Sequence, residues 1–166
     1  MDTYVEHMVK KETTGKDQAV RFFGIFLVVL SAVAAIVLMV PVILLGTVML
    51  GVLYRYVIYP LTDIEYEYLY CDRQLTVSKI MAKEKRKDLE TFELEKVELL
   101  TPANSYRLAD VNNRELKVTD YWSLSTAEGH VPYAMIYEGN RKILLDLPTD
   151  FVKIIQNNAP RKVFTD

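Results

Sequence analysis

The sequence predicts a membrane α-helical hairpin followed by a mainly β domain of about six or seven strands, closed by a C-terminal capping helix. Three observations predict this class. From Phe22 to Tyr54 the chain runs 33 residues without a charge, interrupted by Pro41. After Pro60 the apolar residues alternate with polar ones, the period of a half-buried strand. Near the C-terminus, "PTDFVKIIQNNAP" carries apolar residues at helical spacing between two prolines.

A helix rises about 1.5 Å per residue and the hydrocarbon core is about 30 Å thick, so one crossing takes about 20 residues. The uncharged run would make roughly 50 Å of helix, and Val57 and Ile58 extend its apolar character. A single span would have to tilt far beyond the usual ~20° to hide that length. Two spans of about 17–18 residues fit better. Pro41 supplies the turn: it lacks an N–H and disfavours helix at Val40, so one helix ends near Met39 and the next begins with proline in its first turn. A kinked single span is the competing reading, since proline is tolerated inside membrane helices and "MVPV" has no polar residue.

Charge placement favours two spans. Lys10, Lys11, Lys16 and Arg21 precede the apolar stretch, and Arg55 and Arg73 follow it. Positive flanks stay on the cytoplasmic side, so a chain basic at both ends needs an even number of crossings. The expected location is the cell membrane, with both termini cytoplasmic. Arg21, Tyr54, Arg55, Tyr56 and Tyr59 are the expected interfacial anchors, the tyrosines at headgroup level and the arginines snorkelling. A cleaved signal peptide is rejected, because Glu6, Glu12 and Asp17 interrupt the basic segment and cleavage near Ala34 would leave a second apolar run. The lone Cys71 forms no intramolecular disulfide and fits a reducing compartment.

The expected divisions are a cytoplasmic tail over 1–20, the hairpin over 21–59, the β domain over 60–160 and a short tail over 161–166. Within the β domain, Ile64, Tyr66, Tyr68 and Tyr70 alternate with Glu65 and Glu67, and Leu75 to Met81 return after a polar turn at 71–74. Residues 83–88, "KEKRKD", read as a solvated tip. "LETFELEKVELL" suits either a strand or a helix. A turn at Asn112-Asn113 separates two expected strands, Tyr106–Val111 and Glu115–Thr119. The clearest hairpin pairs Tyr133–Tyr137 with Ile143–Leu147 across Gly139-Asn140. A helix capped by Thr149 or Asp150 buries Phe151, Ile154 and Ile155 and stops at Asn157-Asn158 and Pro160.

This order resembles the bacterial pleckstrin-homology-like (PH-like) domains attached to one or two membrane helices. The resemblance rests on the membrane segment followed by "YEYLYCDRQLTVSKI", on "FELEKVELL" and on "ILLDLPTDFVKII", and it covers residues 20 to 160. Among these, the chain looks like a group of small bacterial membrane proteins with this layout and no assigned activity. The resemblance implies a curled sheet or barrel and a membrane-bound adaptor or scaffold role. It carries over no catalytic residue.

The residues themselves point away from several chemistries. A net charge of −2 argues against a general nucleic-acid binder. His7 and His130 have no partner at metal-ligand spacing, and no Gly-rich phosphate loop or GxSxG elbow occurs. No metal, cofactor or enzymatic activity is expected. Trp122 reads as a core anchor. The expected partners are the bilayer and a protein, bound at open strand edges or beside the C-terminal helix, with a homo-oligomer left open. Two alternatives stand beside this reading. Lys79, Lys83, Lys85, Arg86 and Lys87 around a hairpin tip would suit an anionic-lipid headgroup sensor, each near-surface cation contributing about 1 kcal/mol. The chain would also serve as a structural subunit of a larger membrane complex.

Overall fold

The computed structural model describes residues 4–112, 114–125 and 131–165, so Asn113 and His130 lie outside the described residues. The chain divides into two units, one of Glu12–Ile64 and Met81–Lys85, the other of Met1–Lys11, Glu65–Ile80 and Arg86–Asp166.

The first unit is built on apolar helices. α1 (Gly15–Leu38) opens where the Asp17 carboxylate accepts the Thr14 backbone N–H at 3.1 Å, satisfying a donor the helix itself cannot. It ends at Met39, whose left-handed φ of 51° reverses the chain, and after extended Val40 the helix α2 (Pro41–Leu53) starts on its proline. A π-helical segment, Tyr54–Ile58, and a short α3 (Tyr59–Thr62) continue it. Both stretches, Gly15–Leu38 and Pro41–Thr62, are long and apolar enough to cross a membrane. Only Gly24 and Ala35 are buried in α1, and no residue is buried in α2.

Where α1 and α2 meet, small and polar side chains let them approach. The Ser31 and Thr47 hydroxyls share a 2.7 Å hydrogen bond, and Thr47 also donates to the Ile43 carbonyl. Gly24 lies against Tyr54, whose ring stands 2.7 Å from where a β-carbon would sit. At the base of the helices Arg21 donates to the Thr62 hydroxyl (2.7 Å) and carbonyl (2.9 Å).

The second unit holds two four-stranded sheets, ordered β1-β2-β3-β4 and β5-β7-β8-β6. The first contains β1 (Val5–Lys10), β2 (Ile64–Cys71), β3 (Gln74–Met81) and β4 (Lys85–Glu93). The second contains β5 (Val97–Pro102), β6 (Lys117–Asp120), β7 (Tyr133–Tyr137) and β8 (Arg141–Leu145). Tyr66, Tyr68 and Tyr70 of β2 point into the core beside Leu75, Val77, Phe92, Met135, Ile143 and Leu145. The amphipathic α5 (Thr149–Asn158) lays Phe151, Val152 and Ile155 on this core.

Several expectations change. Residues 1–20, expected as a tail, contain β1, which pairs antiparallel with β2 from Val5↔Tyr70 to Lys10↔Glu65. The tail expected over 161–166 is ordered through Thr165: Leu100 donates to the Lys162 carbonyl and Phe164 to the Leu100 carbonyl, both at 2.8 Å, and Val163 is fully buried. The expected strand at Tyr106–Val111 is a 3₁₀ turn (Tyr106–Leu108) running into α4 (Ala109–Asn112). Leu108 and Val111, spaced as on a helix, pack with Ala134 and Ile136 in a second apolar cluster. Strand β7 is therefore buried on both faces, and its unbroken apolar run YAMIY is the trace of that. Its hairpin turns at positive φ on Glu138 and Gly139, one residue earlier than expected. Pro148, not Thr149 or Asp150, precedes the first turn of α5.

Candidate functional site

The five expected basic-tip residues fall in different places. Lys83 and Lys85 belong to the helical unit, while Lys79, Arg86 and Lys87 belong to the β unit. Arg86 is already engaged: its guanidinium lies 2.6 Å from buried Glu67 and 3.5 Å from Asp88. Burial pushes the Glu67 carboxyl up, against the pull of Arg86. Lys79 sits close enough to Lys11 and Lys87 that burial first, and then those two charges, hold its ammonium below the ordinary range. Lys11 is a member that sequence reasoning missed.

The expected interfacial anchors also divide by role. Tyr54 packs on Gly24, and Tyr59 lies under both Arg21 and Arg55, at 5.6 and 5.1 Å from ring centre to guanidinium carbon. Arg55 pairs with Glu84 at 3.2 Å, and Arg21 stands 3.9 Å from Asp63. Tyr56 alone among the three tyrosines is exposed. Trp122 is half-buried rather than in the core, its backbone N–H bonded to Asp120.

A cavity of about 540 Å³ opens within the β unit between β1 and the start of α5, lined among others by His7, Asn104, Tyr133, Asp146 and Thr149. Its size is that of a small-molecule site. Beneath it, Tyr68 donates to the Tyr121 carbonyl at 2.7 Å and accepts the Asp146 N–H at 3.1 Å, and Ser123 donates to the Asp146 carboxylate. His7 stacks on the Tyr68 ring, 6.3 Å between centroids and 12° from parallel. Acid–base chemistry needs a nucleophile or substrate proton within reach of the imidazole. Here Ser123 bonds to Asp146, and the described hydrogen bonds include none between His7 and Ser123. The alternation V-x-H-x-V over Val5–Val9 is the signal that would have placed His7 on a strand facing inward. Among the described residues no group of three or more His, Cys, Asp or Glu is arranged to hold a metal ion.

Burial lowers the His7 pKa, and the Asp146 charge only partly opposes it. The unfolded chain then binds this proton more tightly than the folded one, so stability falls as pH drops through about 6.5. Glu67, raised by burial, acts with the opposite sign: its contribution is most favourable when protonated. The expected outcome is a thermal midpoint that decreases from about pH 7.5 to about 5.5, with a shallower slope in His7→Gln. A slope identical in that variant would assign the acid sensitivity to other groups.

Two four-stranded sheets around a common core, closed by one C-terminal helix, define a PH-like domain, here in a chain that also carries two long apolar helices. The chain belongs to the family described as Bacterial PH-like domain (DUF6106), whose model matches residues 1–165. That match includes β1 and both apolar helices, not the β domain alone. No curated protein and no solved structure matches the chain. PH-like domains are in general non-catalytic.

Proposed function

We propose that this chain is a membrane-anchored, non-enzymatic interaction module: a helical hairpin with both termini cytoplasmic, carrying a PH-like domain that engages a protein partner. The β1–β2 ladder carries the reading. The chain leaves the β unit at Lys11 and rejoins it at Glu65, and both candidate spans lie between. A strand before the spans pairs with one after them only when the two share a compartment, which an even number of crossings provides. The basic flanks favour the cytoplasm as that compartment. The bare apolar circumference of both helices supports a bilayer around them.

The test starts from a Cys71→Ser background with single cysteines at Tyr4→Cys or Thr165→Cys. A membrane-impermeant maleimide should label neither in intact spheroplasts and both after permeabilisation. Labelling of either one in intact cells overturns the topology. Photo-crosslinkers at exposed β-unit positions should yield adducts with another protein in the cell. Adducts only between copies of this chain would replace the module with a structural homo-oligomer.

A second reading, an anionic-headgroup sensor, is favoured by one observation, the crowding of Lys79 with Lys11 and Lys87. In nanodiscs, phosphatidylglycerol should then raise the thermal midpoint of the native chain over phosphatidylcholine alone. The gain should vanish in Lys79→Gln/Lys87→Gln; a gain that persists there sinks this reading.

A further inference from the structure

The eight arginines of this chain fall into three groups. Arg21, Arg55, Arg86, Arg114 and Arg141 each face a carboxylate: Asp63, Glu84, Glu67, Glu98 and Glu90. Arg107 lies over the Phe164 ring, its guanidinium carbon 3.9 Å from the centroid. The two others, Arg73 and Arg161, have no ion-pair partner among the described residues, and both line the same groove at the carboxyl end of α5.

The groove holds about 330 Å³. Arg73 forms one wall from the β2–β3 turn, where its φ of 61° is left-handed. Leu94, Ala159 and Pro160 give it an apolar floor. The frame is tied down by bonds that leave both guanidiniums unused. Leu94 donates its N–H to the Arg73 carbonyl at 2.8 Å, and Asn158 donates to the Tyr70 hydroxyl at 2.8 Å. The Lys162 ammonium is spent on the carbonyls of Glu95 (2.6 Å) and Leu94 (3.4 Å). Glu95 is the one acid on the lining, so cations outnumber it.

We propose that this groove docks an acidic peptide segment of a partner protein, with carboxylates on Arg73 and Arg161 and an apolar side chain on Leu94 and Pro160. The proposal rests on the interaction-module reading and specifies its partner's chemistry. Charge complementarity selects this occupant: a guanidinium fork matches a carboxylate bidentately, and the floor takes a leucine-sized group.

The test uses the full chain in phosphatidylcholine nanodiscs and a fluorescein-labelled pentapeptide, Glu-Glu-Leu-Glu-Glu, read by anisotropy. Binding should weaken by about tenfold or more in Arg73→Glu/Arg161→Glu and stay unchanged in Arg114→Glu. The glutamine counterpart of the peptide should bind far more weakly. Equal binding of the two peptides, an equal loss in Arg114→Glu, or no loss in the double variant overturns the groove. So does the absence of any binding. Any of these leaves the crosslinking result standing, whereas adducts confined to copies of this chain overturn the broader module whatever the peptide does.

Discussion

A chain lacking residues 1–11 is expected to have a severely destabilised β domain. Strand β1 supplies six register pairs to β2 and places His7 against the Tyr68 ring. At a net 0.5–1.5 kcal/mol per hydrogen bond and about one bond per register pair, the ladder contributes on the order of 3–9 kcal/mol. Domains have only about 5–15 kcal/mol in all. Trp122, the sole tryptophan, is the reporter. The truncated chain should show either a non-cooperative fluorescence transition or a midpoint lowered by about 10 °C or more. A fragment starting at Pro60 lacks β1 as well and should behave the same way, and a synthetic peptide spanning Tyr4–Lys11 should restore the transition. An unchanged midpoint in the truncated chain would mean that β1 adds nothing to the sheet, and the topology argument would lose its footing.

Tyr68→Phe is expected to be the costliest single-atom deletion in the β unit. The Tyr68 hydroxyl is fully buried and bridges two backbone groups, the Tyr121 carbonyl and the Asp146 N–H. Burial is the main cause that raises its pKa far above the ordinary tyrosine value, so it stays a donor at any working pH. Phenylalanine fills the same space and leaves both backbone groups without their partner. Each unsatisfied buried group costs about 1–3 kcal/mol, so the loss should reach about 2–6 kcal/mol. Tyr66→Phe is the control, since the described hydrogen bonds include none from its hydroxyl. A Tyr68→Phe chain as stable as the control would show that water replaces the bridge. The cavity above would then be wetter at its base than the direct contacts imply.

The features legible in the sequence were those whose signal is local. A charge-free run with one proline reads as two helices from its length, its proline and the basic residues on both flanks, all local signals. The alternation in β2 and the apolar-polar spacing in α5 follow from one buried face each. What stayed hidden depended on distant partners. Val5–Lys10 alternates, yet the strand that gives it meaning lies beyond both helices. Lys162–Phe164 pair beside β5 through a backbone bridge that needs no particular side chain. The 3₁₀ and α turns at 106–112 differ from the expected strand because Leu108 and Val111 share a helical face whose packing partners, Ala134 and Ile136, lie far along the chain. The site residues follow the same rule. A run such as 83–87 looks like one basic patch in a row of letters, while Arg73 and Arg161 come together only through the turn after α5.

Strand β1 is made well before its partner, with both apolar helices in between. Val5 leaves the ribosome before Tyr70, its partner 65 positions on (70 − 5), and translation at about 5–20 residues per second sets a wait of roughly 3–13 s. During that interval Val5–Lys10 holds an unsatisfied hydrogen-bonding edge while the apolar segments that follow it emerge. Closing so large a loop is slow in its own right. Under the proposed topology, insertion would therefore precede β-domain closure, and a chain whose helices fail to insert would be left with an open sheet edge for quality-control proteases to find.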